Sequence, residues 1–216
     1  MIKAIIKRVL PETMINNIRL IKNQITRKGV IRRWRQDGSL GQPPHEVKQI
    51  TIEHFKKKFR YSLFVETGTY NGAMVEAQRN NFSKIISVEI SEMLHKKAVY
   101  RFRNYNHITI LQGDSSKVLS EIISKINEPA IFWLDGHYSG GYTEKGELNC
   151  PVYRELEAIF IDNKYNHVLL IDDARCFNGK EDYPTIEGLT NFILQKNDKY
   201  HIEIKDDIIR AYIENV

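Results

Sequence analysis

The chain has 216 residues, 42% hydrophobic and 27% charged, with a net charge of +5. That suits one sizeable globular domain with a short appendage. No apolar run reaches the roughly 18–20 residues that span a bilayer, and the start, MIKAIIKRVLPE, lacks the apolar core and cleavage site of a secretory signal. Cys150 and Cys176 form no CxxC pair, which argues against a zinc cluster and for reduced thiols in a cytoplasmic protein.

The net charge hides an asymmetry. Residues 1–60 hold 15 Lys/Arg against 4 Asp/Glu, whereas the remainder holds 17 against 23. A basic leading segment on a mildly acidic body points to an anionic partner: phospholipid, nucleic acid or a phosphorylated carrier. Residues 1–28 carry Ile2, Ile5, Ile6, Val9 and Leu10 at helical spacing, interrupted by Pro11; Met14, Ile15, Ile18, Ile21 and Ile25 continue an apolar face. The stretch RKGVIRRWRQDGSLGQPPHE reads as a turn-rich connector because of its Gly and Pro residues. The domain boundary is expected near Pro43, giving a basic helical arm over 1–43 and a main domain over 44–216.

From residue 60 the pattern changes. Apolar, β-rich runs at 62–66, 84–89, 107–112, 130–135 and 167–172 alternate with helical patterns near 72–81, 92–104, 115–126, 150–162 and 184–197; a further helix over 45–59 leads into the first strand. Such alternation predicts an α/β domain with a doubly wound parallel sheet. The end, YHIEIKDDIIRAYIEN, is two alternating runs joined at Asp206-Asp207, which predicts an antiparallel hairpin.

Acidic residues recur where these runs end: Glu66 in FVETGTYNG, Glu89 in IISVEIS, Asp135 in IFWLDGH and Asp172-Asp173 in HVLLIDDAR. In an open α/β sheet the carboxyl edge is where ligands bind. The run ETGTYNG, from Glu66 through Gly68, Thr69 and Tyr70 to Gly72, joins a strand to a helix. It is not GxGxxG, since Tyr70 stands at the second glycine position and Ala73 at the third. A loop for a smaller cofactor than a dinucleotide is therefore expected, which disfavours a nicotinamide enzyme. Glu89 follows Glu66 by 23 residues, the spacing at which an acid accepts hydrogen bonds from ribose hydroxyls. Asp114, in LQGDSS, either bonds an adenine amine or caps the helix beginning at Ser115.

ETGTYNG, VEIS, GDSS and LDGH, in this order and spacing, resemble class I S-adenosylmethionine-dependent methyltransferases over residues 60–216. The resemblance implies a Rossmann-like seven-stranded sheet with a reversed final strand. It also implies a cofactor site drawing on Glu66, Gly68, Thr69, Tyr70, Gly72, Glu89, Asp114, Ser115 and Asp135. Asp135 with Asp172 and Asp173 is similar to the acidic set of metal-dependent O-methyltransferases of the catechol and macrocin types. That likeness implies Mg²⁺, for which oxygen-only ligands are apt. His137 is the expected general base, with Lys145 as its rival in the glycine-rich stretch HYSGGYTEKGE. Arg175 is a candidate for an anionic substrate group. The expected reaction is methylation of a hydroxyl on a saccharide or natural product, and the alternative is a non-catalytic nucleoside-binding or scaffolding domain.

For the basic arm two readings stand. One is an amphipathic helix on an anionic membrane surface, which would make the protein peripheral at the inner membrane face. The other is a structural arm packed on the core or on the second subunit of a homodimer. Nucleic acid is disfavoured: Arg32, Arg33, Trp34 and Arg35 form one basic-aromatic spot with no recognised binding motif.

Overall fold

The computed structural model describes residues 25–39, 41–136 and 149–214. The sequence-based expectations for residues 1–24, for His137 and for Lys145 lie outside them. The chain divides into two compact units, Met1–Lys48 and Gln49–Val216. None of the described helices is long and apolar enough to cross a membrane.

In the first unit, residues 25–36 are helical, so the expected turn-rich connector is corrected over 27–36. Gly29 alone does not break a helix; its cost relative to alanine is only about 1 kcal/mol. The stop comes at Gly38, whose φ of 82° only glycine adopts cheaply. Ser39 N–H donates to the Trp34 carbonyl at 3.0 Å and Gly38 N–H to that of Arg35 at 3.2 Å. This paired pattern satisfies carbonyls the helix end leaves open. Helix α1, His45–Phe59, begins in this unit and continues into the second.

In the second unit, seven strands form one sheet: β1 Leu63–Thr67, β2 Lys84–Glu89, β3 Ile108–Gln112, β4 Ala130–Leu134, β5 Val168–Ile171, β6 His201–Lys205 and β7 Ile208–Tyr212. Their order is β3-β2-β1-β4-β5-β7-β6. Strands β1 to β5 are parallel, while β7 runs antiparallel to both β5 and β6. The helices between them are α2 Ala73–Gln78, α3 Glu92–Phe102, α4 Ser115–Lys125, α5 Val152–Ile159 and α6 Ile186–Lys196, with a 3₁₀ turn at Ala174–Cys176.

Alternating side chains explain the layers, because successive strand residues face opposite sides. Leu63 and Val65 of β1, Phe132 and Leu134 of β4, and Leu169 and Ile171 of β5 pack on one face with α4, α5 and α6. Phe64, Ile131, Trp133 and Leu170 pack on the other with Ile52 and Phe55 of α1, Val75 of α2 and Phe102 of α3. Central strands covered on both faces must be apolar throughout, as β1, β4 and β5 nearly are. The hairpin closes on a two-residue loop, since Lys205 pairs with Ile208. Asp206 and Asp207 both have positive φ, 55° and 61°, the conformation that two-residue hairpin turns require and that aspartate tolerates.

His167 is built into this core. Its Nδ1 accepts the Ala130 N–H at 3.1 Å, and its carbonyl accepts the Tyr200 hydroxyl at 3.0 Å. Burial pushes its pKa down to about 4, below the ordinary 6.5. The folded state therefore holds this ring neutral where the unfolded chain would protonate it. Its stabilisation is complete above pH 6.5 and is lost as pH falls towards 4, by up to about 3 kcal/mol. Acid unfolding followed by circular dichroism should show this loss in the native chain and not in His167→Ala. Equal acid sensitivity would assign the loss elsewhere.

Candidate functional site

The carboxyl ends of β1, β2, β4 and β5 place the acidic residues along one rim. Glu66 is 2% exposed. Ser87 on the paired strand donates its hydroxyl to Glu66 Oε2 at 2.5 Å, and the Thr69 hydroxyl lies 2.6 Å from that of Ser87. Burial raises the Glu66 pKa to about 8; the Ser87 hydrogen bond opposes this, and the nearby Asp135 and Glu89 charges add to it. At neutral pH, Glu66 is thus mostly an uncharged acid that anchors the loop after β1.

That loop runs close to β4. Gly68 and Thr69 N–H both donate to the Val88 carbonyl, at 3.0 and 3.1 Å. Gly68 has φ 85°, and a Cβ there would lie 2.3 Å from the Asp135 carbonyl oxygen. Such close main-chain approach needs glycine. Glu89 then staples the loop: its Oε2 accepts the Tyr70 N–H at 2.6 Å and its Oε1 the Ser91 N–H at 3.0 Å. A carboxylate has acceptor capacity for about four donors, so this staple is compatible with a ribose contact. Tyr70, half exposed at φ 49°, borders a surface hollow of about 490 Å³ lined also by Asn71, Met93, Lys97 and Arg101.

Asp114 caps α4. Its Oδ1 accepts the Ser116 N–H at 2.9 Å and the Ser116 hydroxyl at 2.7 Å. Ser115 is buried and donates to Glu155 Oε1 at 2.6 Å. Glu155 escaped the sequence reading. It lies in the first turn of α5, 2% exposed, on the same helix face as Val152, Leu156 and Ile159. An acid at an apolar position of an amphipathic helix was the available signal. It reaches the rim beside Gly136, where an added Cβ would meet Glu155 Oε1 at 2.9 Å and the hydroxyls of Ser115 and Thr67 at 3.2 Å.

Asp135 is half-buried, with its N–H donating to the Thr67 carbonyl at 3.2 Å. Asp172 is fully buried and Asp173 nearly so. Asp173 adopts φ 55° and receives the Arg175 guanidinium on Oδ1 at 2.8 Å. The same Arg175 Nη1 also bonds Asp207 Oδ2. Burial lowers the Arg175 pKa, but the bonds and charges of Asp173 and Asp207 outweigh it and the net direction is up. Arg175 is therefore engaged by two acids of its own chain. Tyr183 stands edge-on to Phe177, ring centroids 5.5 Å apart, and burial raises its pKa, with the charges of Cys150, Cys176, Asp173 and Asp135 adding to it.

The donor chemistry of Asp135, Asp172 and Asp173 suits a hard cation. Among the described residues, no group of three or more His, Cys, Asp or Glu side chains could hold a metal ion. A protein cation instead sits on Asp173. The loop fits a nucleoside cofactor better: a glycine turn without room for a Cβ, stapled by an acid at the end of β2.

No protein-family model matches the chain, and no curated protein matches it in sequence. Solved structures do match in fold. A Podospora anserina methyltransferase with S-adenosylhomocysteine bound aligns at TM-score 0.56 and 12% identity, over 96% of this chain and 99% of that one. An O-methyltransferase from Bacillus cereus, also in complex with S-adenosylhomocysteine, aligns at TM-score 0.57 and 13% identity, over 98% and 96%. TomG from Streptomyces achromogenes, an O-methyltransferase involved in tomaymycin synthesis, solved with S-adenosylmethionine, aligns at 0.55 and 11%, over 88% and 89%. The fold is the Rossmann-like, seven-stranded methyltransferase fold, with the antiparallel β5-β7-β6 end that the sequence predicted.

Proposed function

We propose that the chain is an S-adenosylmethionine-dependent methyltransferase acting on a hydroxyl oxygen. One observation carries this reading: the Glu89 carboxylate joins the glycine loop after β1 to the end of β2, on the ligand-binding edge of a sheet of this order. The cofactor would supply an electrophilic methyl group on a sulfonium. The protein's task is then alignment and exclusion of water. Gly68 brings main chain close to the cofactor's position, Glu89 presents acceptors for ribose hydroxyls, and buried Glu66 holds the loop without adding a full charge. The acceptor we favour is a saccharide or a natural product bearing hydroxyls. Asp173 is already paired with Arg175, a cation of the chain itself.

Titration calorimetry with S-adenosylhomocysteine tests the reading. The native chain should bind it, and Glu89→Ala should bind it about 10- to 100-fold more weakly, the effect of losing a charged hydrogen bond. No binding to the native chain would leave the scaffolding alternative. Unchanged affinity in a folded Glu89→Ala would remove Glu89 from the cofactor site.

A further inference from the structure

We propose that Arg175 is the resident cation of this acidic rim, and that its guanidinium, shared between Asp173 and Asp207, keeps a divalent ion off Asp173. Asp173 ends the segment after β5, Asp207 sits at the tip of the β6–β7 hairpin, and Arg175 lies in the 3₁₀ turn between them in space. Arg175 Nη1 bonds Asp173 Oδ1 at 2.8 Å and also bonds Asp207 Oδ2. The main chain repeats the connection. Arg175 N–H donates to Asp207 Oδ1 at 2.8 Å, and Ala174 N–H donates to the Asp207 carbonyl at 2.8 Å.

Asp207 takes its positive φ from the hairpin turn, whereas Asp173 adopts one outside any hairpin. At Asp173 the φ of 55° lies in a region that disfavours residues with a Cβ and persists where surrounding contacts over-determine it. Both acids are 11% exposed in their side chains. A metal ion and a guanidinium compete for the same carboxylate oxygens. Here the guanidinium is covalently part of the chain and its backbone N–H is already locked to Asp207, so its effective concentration at Asp173 is high. Both side-chain bonds leave the same Nη1, so a lysine ammonium, a single charged nitrogen on a more flexible stem, would replace it in part. Arg175 is a positioning residue in this account: it orders the turn that carries Asp172 and Asp173.

Manganese uptake by the full chain, read as loss of the free Mn²⁺ signal in electron paramagnetic resonance, is the test. It needs neither cofactor nor turnover, so its failure is distinct from failure of the methyltransferase reading. The native chain should leave added Mn²⁺ free. Arg175→Met, of similar length without the charge, should gain affinity at least tenfold and take up one ion, and the added change Asp173→Asn should abolish the gain. Arg175→Lys should gain less, in the same direction, and serves if Arg175→Met does not fold. Stoichiometric Mn²⁺ uptake by the native chain that Asp173→Asn removes would overturn the proposal. So would the absence of any gain in the folded arginine variants.

Discussion

Gly68→Ala is expected to unfold the loop after β1 and abolish S-adenosylhomocysteine binding. Two effects add. A residue with a Cβ at φ 85° is strained, by roughly 1–2 kcal/mol. Its Cβ would also sit 2.3 Å from the Asp135 carbonyl oxygen and 2.9 Å from the Asp135 carbonyl carbon. Those are main-chain atoms at the end of a central strand, so they cannot swing aside as a flexible side chain would. Forcing them apart adds about 1–3 kcal/mol. The sum, about 2–5 kcal/mol, is a large part of a typical domain's stability. Gly29→Ala is the control. Gly29 is helical and a Cβ there meets nothing within 4 Å, so the change should stabilise by about 0.5–1 kcal/mol. Denaturant unfolding and calorimetry measure both. A Gly68→Ala chain with native stability and native cofactor affinity would show that the loop is not held against β4 as described.

Raising the pH from 5 to 8 should destabilise the native chain more than Glu66→Gln. The Glu66 carboxyl titrates at about 8 when folded, above its ordinary 4.5. The folded state thus keeps a proton that the unfolded chain releases. This favours folding fully below pH 4.5, weakens as pH rises, and is gone above about 8. The total change is at most about 5 kcal/mol. In Glu66→Gln the carbonyl can still accept the Ser87 hydroxyl, but nothing titrates. Melting temperatures across this range should therefore fall for the native chain and stay nearly level for the variant, once other groups common to both are subtracted. Parallel curves would mean that Glu66 is ionised in the fold. The prediction bears on function as well, because a charged Glu66 would crowd Glu89 and Asp135 on the same rim.

Much of the fold was legible in the sequence because period-2 and period-3.6 apolar patterns are local. Strand β2 was anticipated at its observed ends, 84–89, and the other central strands to within a residue or two. The Asp206-Asp207 hairpin was legible because the two-residue turn demands positive φ, which few residue types tolerate. The rim acids Glu66, Glu89, Asp135 and Asp172 were found for the same reason: each ends an apolar run, and parallel strands bring such ends to one edge. The helical stretch over 27–36 was misjudged because local glycine and proline counts obscured which glycine stops it.

What each acid does there was decided only in three dimensions. Glu89 and Tyr70 are 19 residues apart, Ser115 and Glu155 40, and Arg175 and Asp207 32. No periodicity links such pairs; they meet because β1 lies between β2 and β4, and because β7 inserts between β5 and β6. The sequence by itself determined which residue types gather at the carboxyl edge, since that follows from strand order and chain direction. The tertiary structure decided which carboxylates are neutralised by a proton, by main-chain N–H groups or by a guanidinium. That assignment depends on burial and on partners a few ångströms away, and neither is written in the spacing of residues along the chain.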